Sequence, residues 1–314
     1  MLRPGKAEHR KKSSLLARQI GMEEAARKAD LVSTTFTVNT YSYAQVFAAR
    51  QCLVHLAEHG YRSVELMLVP GHYWPSLDDH AHERRAISQL LRDRDLRILT
   101  LNQPNLDINL SSGVPEMRQH SCRVIAEAIR LAAEWNAMGV VVNPGKDNPV
   151  LPASRQNLRD WFRRSLDAIV PVAEQAGVQL IVKNHPLSYL HRADELVAFF
   201  DQYGWSAVSI GYDFANGAFG REDPHTALHR VGSHLRLVYA ADTGLDTFRH
   251  GPVGTGTVEF SSIAKSLRSL GYASETVLEI VDDDPDRALS HSIMYLQELG
   301  WPTEPSQTAR RQNG

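Results

Sequence analysis

The sequence predicts a single closed (β/α)8 barrel, on three observations. Short runs rich in Val, Ile and Leu alternate with amphipathic stretches eight times between residues 31 and 301. The runs are almost continuously apolar, as strands covered on both faces are. Polar residues recur at one end of each run, the end where such a barrel keeps its chemistry. Alternation of strand and helix implies parallel pairing, and the stretch matches the roughly 250 residues that such barrels occupy.

The elements follow in order. LVSTTFTV (31–38) reads as the first strand, and SYAQVFAARQCLVHLAEHG (42–60) as a helix closed by Gly60. YRSVELMLV (61–69) is the second strand, followed by a helix over 80–94; LRILTLN (96–102) is the third, with a long helix over 115–136. MGVVVNPG (138–145) is the fourth. The helix over 154–177 has a serine at its N-cap and a glycine at its stop. VQLIVKN (178–184) and a helix over 193–204 make the fifth unit, VSIGYD (208–213) and a short helix near 224–231 the sixth. LRLVYAAD (235–242) with a helix over 258–271, and ETVLEIV (275–281) with a helix over 285–299, complete the set. A doubly wound open sheet is the alternative, but no GxGxxG or GxxxxGKS/T follows any strand.

Composition narrows the partners. The chain has 314 residues, 34 Lys and Arg against 36 Asp and Glu, and a formal net charge of -2. So even a balance gives no general attraction to nucleic acid or to an anionic membrane. Cys52 and Cys122 lie among apolar residues and read as buried free thiols, which fits a reducing, cytoplasmic setting. No apolar run approaches the ~20 residues of a membrane span. Arg3, Lys6, Arg10, Lys11 and Lys12 open the chain with no apolar core behind them, so residues 1–30 read as a solvated, partly helical leader rather than a secretory signal. Residues 302–314 read as a flexible tail.

The strand ends carry the chemistry. Strand two holds Glu65 within it; strands three and four end at Asn102 and Asn143; strand five ends in Lys183, Asn184 and His185. Strand six ends in Asp213 with Asn216 beyond, strand seven offers Tyr239, Asp242, Arg249 and His250, and strand eight offers Glu279. An ionised group at the end of a dry strand must be paired or functional. Lys183, Asp213 and Glu279 each follow apolar runs, so the three are expected to face one pocket. The competing reading is a plain buried ion pair that closes the barrel mouth.

Six short motifs in order resemble the xylose isomerase-like TIM barrels, the sugar phosphate isomerase/epimerase superfamily, which also contains the family-2 abasic-site endonucleases. They are YRSVEL, VVVNPG, LIVKNHP, VSIGYDFANGAF, LRLVYAADT with RHGPVGTG, and VLEI. The resemblance implies a divalent metal held by Glu, Asp, His and Glu at strands five to eight. Here Asp213 and Glu279 match, whereas Lys183 stands for the first Glu and Tyr239 for the His. Asn102, Asn143 and Asn216 stand where the family often has His, and His250 matches its His before the glycine-rich turn. An ammonium is no metal ligand and repels a cation. No cofactor is therefore expected, or at most a weakly held Mn²⁺ or Mg²⁺ on Asp213 and Glu279.

The expected activity is an isomerase or epimerase of a sugar-like hydroxy-carbonyl compound, acting by proton transfer next to the carbonyl. Lys183 takes the metal's place as the donor to the developing enolate, with Glu279 as base and Asp213 and His185 as further catalytic groups. Asn102, Asn143, Asn184, Asn216 and Tyr239 are candidate partners for substrate hydroxyls; Arg249 or His250 could hold an acidic end such as phosphate. Two alternatives stand: a lyase or dehydratase with His185 as the acid, and a non-catalytic sugar-binding barrel that has lost its metal. A homo-oligomer is compatible with either. DNA processing is disfavoured by the charge balance and the incomplete ligand set. His80 and His82 read as a solvated helix start. PGHYW (70–74) reads as a loop that covers substrate or packs, Phe214 and Phe219 as rim packing, and GPVGTG (251–256) as a structural turn.

Overall fold

The computed structural model describes residues 36–75, 81–104, 107–148 and 150–302. The leader over 1–30 and the tail from 303 onward lie outside the described residues. Eight strands close a barrel in chain order: β1 (Phe36–Asn39), β2 (Ser63–Met67), β3 (Arg97–Asn102), β4 (Gly139–Val142), β5 (Gln179–Lys183), β6 (Val208–Asp213), β7 (Leu235–Ala240) and β8 (Thr276–Leu278). All neighbours are parallel, and β8 returns to β1 through pairs such as Val38 with Leu278. The predicted (β/α)8 barrel is the architecture found.

The helices around it are α1 (Ala49–Glu58), α2 (Ala81–Asp93), α3 (Pro115–Glu134), α4 (Arg155–Ala176), α5 (Ala193–Tyr203), α6 (Phe214–Phe219), α7 (Pro224–Val231), α8 (Phe260–Ser269) and α9 (Pro285–Glu298). The caps follow the sequence. Ser154 Oγ accepts from the Asn157 amide at 3.1 Å at the start of α4, and Gly177 ends it at φ 65°. Asp223 and Asp284 cap α7 and α9, each followed by a proline at the first helical position.

Two local expectations change. The stretch from 42 is not one helix: a 3-10 turn covers Tyr41–Tyr43, and α1 begins only at Ala49. The cause lies next door. The Phe47 carbonyl accepts from the His72 ring and the Ala49 amide donates to the His72 carbonyl, so this backbone is tied to the loop after β2. The short helix α6 follows β6 directly, capped by Asp213, whose Oδ1 accepts from the Asn216 amide at 2.9 Å.

Strand parity decides what faces the lumen, because successive side chains point to opposite faces. Leu99, Val141, Ile181, Leu237, Tyr239 and Val277 form a separate buried cluster inside the barrel. Leu180, Val182, Ile210, Tyr212, Val238 and Leu278 belong to the outer core shared with the helices. Lys183 therefore shares the inward face with Ile181, Asp213 lies opposite in parity to Tyr212, and Glu279 opposite to Leu278. Burying each lumen side chain contributes about 1.5–3 kcal/mol. Gly211 is an inward position with no side chain: a Cβ there would lie 3.0 Å from Tyr239 Cε2 and 3.1 Å from Ile181 Cγ2. The Tyr239 ring uses that space.

Candidate active site

Strands β5, β6 and β8 deliver Lys183, Asp213 and Glu279 to one point at the C-terminal mouth of the barrel. Lys183 Nζ lies 2.5 Å from Glu279 Oε2 and 3.6 Å from Asp213 Oδ2. Their side chains are 5%, 6% and 0% exposed respectively, so the charges answer to one another rather than to water. Lys183 also stands 4.4 Å over the Tyr239 ring. Burial opposes the ammonium, but the carboxylates of Glu279, Asp213 and Glu65 more than offset it, and its pKa rises. Burial raises Glu279, yet Lys183 and His250 outweigh that and hold it below the usual carboxylate range. Asp213 goes the other way: burial outweighs His250 and Lys183 and pushes its carboxyl up. Its Oδ2 is buried and has no hydrogen bond among the described residues.

Below this trio sits Glu65, which the sequence shows inside strand two without a role. It is fully buried. Its Oε1 accepts from Asn39 at 2.7 Å and Asn102 at 2.8 Å; its Oε2 accepts from Thr100 at 2.6 Å and the Tyr239 hydroxyl at 2.8 Å. Asn39 and Asn102 also donate to Glu279 Oε2, at 3.2 and 3.3 Å. Burial and the Glu279 charge push Glu65 up, against Lys183 and the Thr100 and Asn102 hydrogen bonds. Asn39 was not among the expected site residues, although the first strand ends in an amide just as the third and fourth do. Tyr41 is another addition: 40% exposed, it donates its amide to Asn39 Oδ1 at 2.7 Å, and its phenol is raised by burial and by Glu279, against Lys183.

His250 completes the layer. Its Nδ1 faces Glu279 Oε1 at 3.3 Å and its Nε2 faces Asn216 Oδ1 at 3.1 Å. Nδ1 also lies 3.2 Å from the Glu279 carbonyl. Asp213, His250 and Glu279 hold ligand atoms within 4.8 Å of one another, close enough to share an ion.

This eight-stranded frame has known counterparts. The model of the xylose isomerase-like TIM-barrel family matches residues 53–299. The chain belongs to that family. An uncharacterised protein of Methanocaldococcus jannaschii is 25% identical over 223 residues, 69% of this chain and 74% of its own length. An L-ribulose 3-epimerase of Mesorhizobium japonicum is 27% identical over 137 residues, 40% of this chain and 44% of its own length, so this chain matches under half of it. The solved structure of a D-tagatose 3-epimerase-like protein superposes with a TM-score of 0.74 at 20% identity, covering 85% of this chain and 98% of that one.

Within this xylose isomerase-like barrel the remaining expected residues divide. Asn102 joins the Glu65 and Glu279 layer as above. Asn184 spends its amide on backbone: its Oδ1 accepts from the Asp213 amide at 2.7 Å and its Nδ2 donates to the Asp213 carbonyl at 3.1 Å. Asn216 Nδ2 donates to the Asn184 carbonyl at 2.8 Å while its Oδ1 faces His250. These two amides fix the mouth of the β5–β6 edge. Asn143 is half-buried, its Nδ2 reaching the Pro104 carbonyl at 3.5 Å, and it shares a cleft with His185 and Lys146. Arg249 is exposed and donates to the Thr255 carbonyl at 2.6 Å, bracing the 251–256 turn.

Other features settle as structure. His72 is buried between Thr40 Oγ1 and the Phe47 carbonyl, so PGHYW packs through its histidine. Phe214 packs against Tyr212, Phe260 and Trp301, and Phe219 against Phe248 at the rim. His82 is exposed at the start of α2; His80 lies outside the described residues. Cys52 and Cys122 are free, and no helix among the described residues is long and apolar enough to cross a membrane.

Two predictions arise here. Asn184→Ala leaves the buried Asp213 amide and carbonyl without their side-chain partner, an expected loss of about 2–4 kcal/mol. Denaturant unfolding checks it; a loss under about 1 kcal/mol would mean the bridge contributes little. His185 is held down to about 4 by burial, then by the Lys183 and His250 charges. The unfolded ring titrates near ~6.5. A depressed histidine keeps its full contribution above the unfolded value and loses it as pH falls from there toward the folded value. Up to about 3 kcal/mol of stability should disappear over that window. His185→Asn should flatten that part of the stability profile; an unchanged profile would refute the assignment.

Proposed function

We propose that this chain is an epimerase or isomerase of a small polyhydroxy ketone, moving a proton at the carbon next to the carbonyl with Lys183 as the resident cation of the site. The observation that carries this reading is the open Asp213 Oδ2, buried and without a hydrogen bond among the described residues, 3.6 Å from the Lys183 ammonium. A base and a cationic donor side by side are what enolisation requires: the base takes the proton and the donor stabilises the oxygen on which charge develops.

The divalent metal that the family resemblance implies does not fit this donor set. Asp213, His250 and Glu279 lie close enough for an ion, but the Lys183 ammonium sits between the two carboxylates, in the space the ion needs. Its raised pKa keeps it charged at neutral pH, and an ammonium beside a dication is strongly repelled. No step is therefore assigned to a metal.

The roles follow from the environments. Glu279 Oε2 already accepts from Lys183, Asn39 and Asn102, so Glu279 serves as the lysine's counter-ion. That moves the base from Glu279, the expected residue, to Asp213, whose pKa is raised and whose oxygen is free of hydrogen bonds. Pairs of carboxylates pushed apart in this way mark acid–base assignments. The lyase reading is weaker because its acid, His185, is neutral well below pH 7. The epimerases among the relatives and structural neighbours suggest ketoses as the class to test.

Incubation with D-tagatose, D-psicose and L-ribulose in deuterated water tests the proposal directly. Proton abstraction deposits deuterium next to the carbonyl, which NMR reads even when turnover is poor. Exchange with at least one ketose supports enolisation; binding without exchange favours the non-catalytic sugar-binding barrel.

A further inference from the structure

A second cluster of metal-ligating side chains lies outside the barrel, where α1 meets the start of α9. We propose that His55, His59 and Asp286 form a zinc-class transition-metal site that clips the first helix of the ring to the last. His55 and His59 are four residues apart at the end of α1 and share one face, their rings 4.1 Å apart. One ligand atom from each of the three residues lies within 4.8 Å of the others, so a small approach of these partly exposed side chains brings all three to the about 2.0–2.2 Å that a single ion requires.

Tautomer logic supplies an independent argument. His59 Nδ1 lies 2.8 Å from the His55 carbonyl, which can only accept, so that nitrogen carries the proton. Its Nε2 faces Asp286 Oδ2 from 3.9 Å, too far for a hydrogen bond, and is the nitrogen left for an ion. His55 Nε2 sits 3.0 Å from both Asp286 oxygens, and on loading it gives up that proton to solvent and binds the ion instead.

The surroundings suit a metal. The Tyr43 hydroxyl donates to Asp286 Oδ1 at 2.6 Å, an outer contact that orients the ligand carboxylate. The three side chains are 25%, 45% and 39% exposed, which leaves an entry path and room for water at a fourth position. Two imidazoles with one carboxylate favour Zn²⁺, Cu²⁺ or Ni²⁺ over the oxygen-seeking Mg²⁺ and Ca²⁺. None of these residues belongs to the Lys183 site.

The test is titration of metal-free full-length protein with Zn²⁺, read by bound equivalents and by Tm. Wild type should take up one equivalent here with a rise in Tm. His59→Ala should lose both, with its metal-free Tm unchanged because the ring is half exposed. Tyr43→Phe should weaken binding about 10–100-fold, as loss of an outer partner does. Asp213→Asn should keep the equivalent. No uptake by wild type, equal uptake by His59→Ala, or loss of the equivalent in Asp213→Asn would each overturn the proposal.

Discussion

Lys183→Met is expected to lower folding stability by about 3–5 kcal/mol at neutral pH, the usual size when one partner of a buried ion pair is removed. The methionine fills the space but leaves the carboxylates of Glu279, Asp213 and Glu65 in a dry lumen with no ammonium among them. The pH dependence identifies the cause. In wild type the depressed Glu279 contributes stability above the ordinary carboxylate pKa and loses it as pH falls through its folded value. In the variant the same groups are raised, so ionisation destabilises the fold and acid relieves it. The gap between the two proteins should be widest near neutral pH and should narrow below about pH 4. Denaturant unfolding at both pH values measures it; an equal gap at both would show that lost packing, not charge, is responsible. Lys183→Glu extends the argument: with the ammonium gone and a fourth donor gained, it should bind one Mn²⁺ per chain at the mouth, and wild type should not.

Asp213→Asn should reduce deuterium exchange into a ketose about 10²–10⁴-fold, the range for a positioned acid–base group. The substitution keeps the shape of the side chain and leaves an amide oxygen to cap α6, so the fold should survive. Glu279→Gln discriminates between the two carboxylates. If Glu279 is the counter-ion, its loss should be felt mainly as instability and a displaced lysine. If exchange survives in Asp213→Asn but vanishes in a folded Glu279→Gln, the base is Glu279 and the assignment made from the open Oδ2 is wrong.

The barrel was legible because its strands are apolar on both faces and its helices carry clear stops, such as Ser154 with Gly177. The break in the first helix was not, since it depends on His72 arriving from the next unit. Lys183, Asp213 and Glu279 stood out because charge within an apolar run has few innocent explanations. The amides were harder to read. An asparagine at a strand end looks the same in sequence whether it reaches carboxylates in the lumen, as Asn102 does, or binds backbone, as Asn184 does. Glu65 was visible as a residue and not as a partner, because its bond to Tyr239 joins positions 174 apart in the chain.

The missing side chain at Gly211 has a historical consequence. A Cβ there would press on the Tyr239 ring at 3.0 Å and the Ile181 branch at 3.1 Å, so position 211 can enlarge only if these neighbours give way. Shrinking Tyr239 would remove both a hydrogen bond to Glu65 and the aromatic surface beneath Lys183. The two positions are therefore expected to vary together or not at all. A lineage that holds the lysine in this setting holds the glycine paired with it on the next strand as well, and any route to a metal-binding mouth would have to pass through the floor of the barrel.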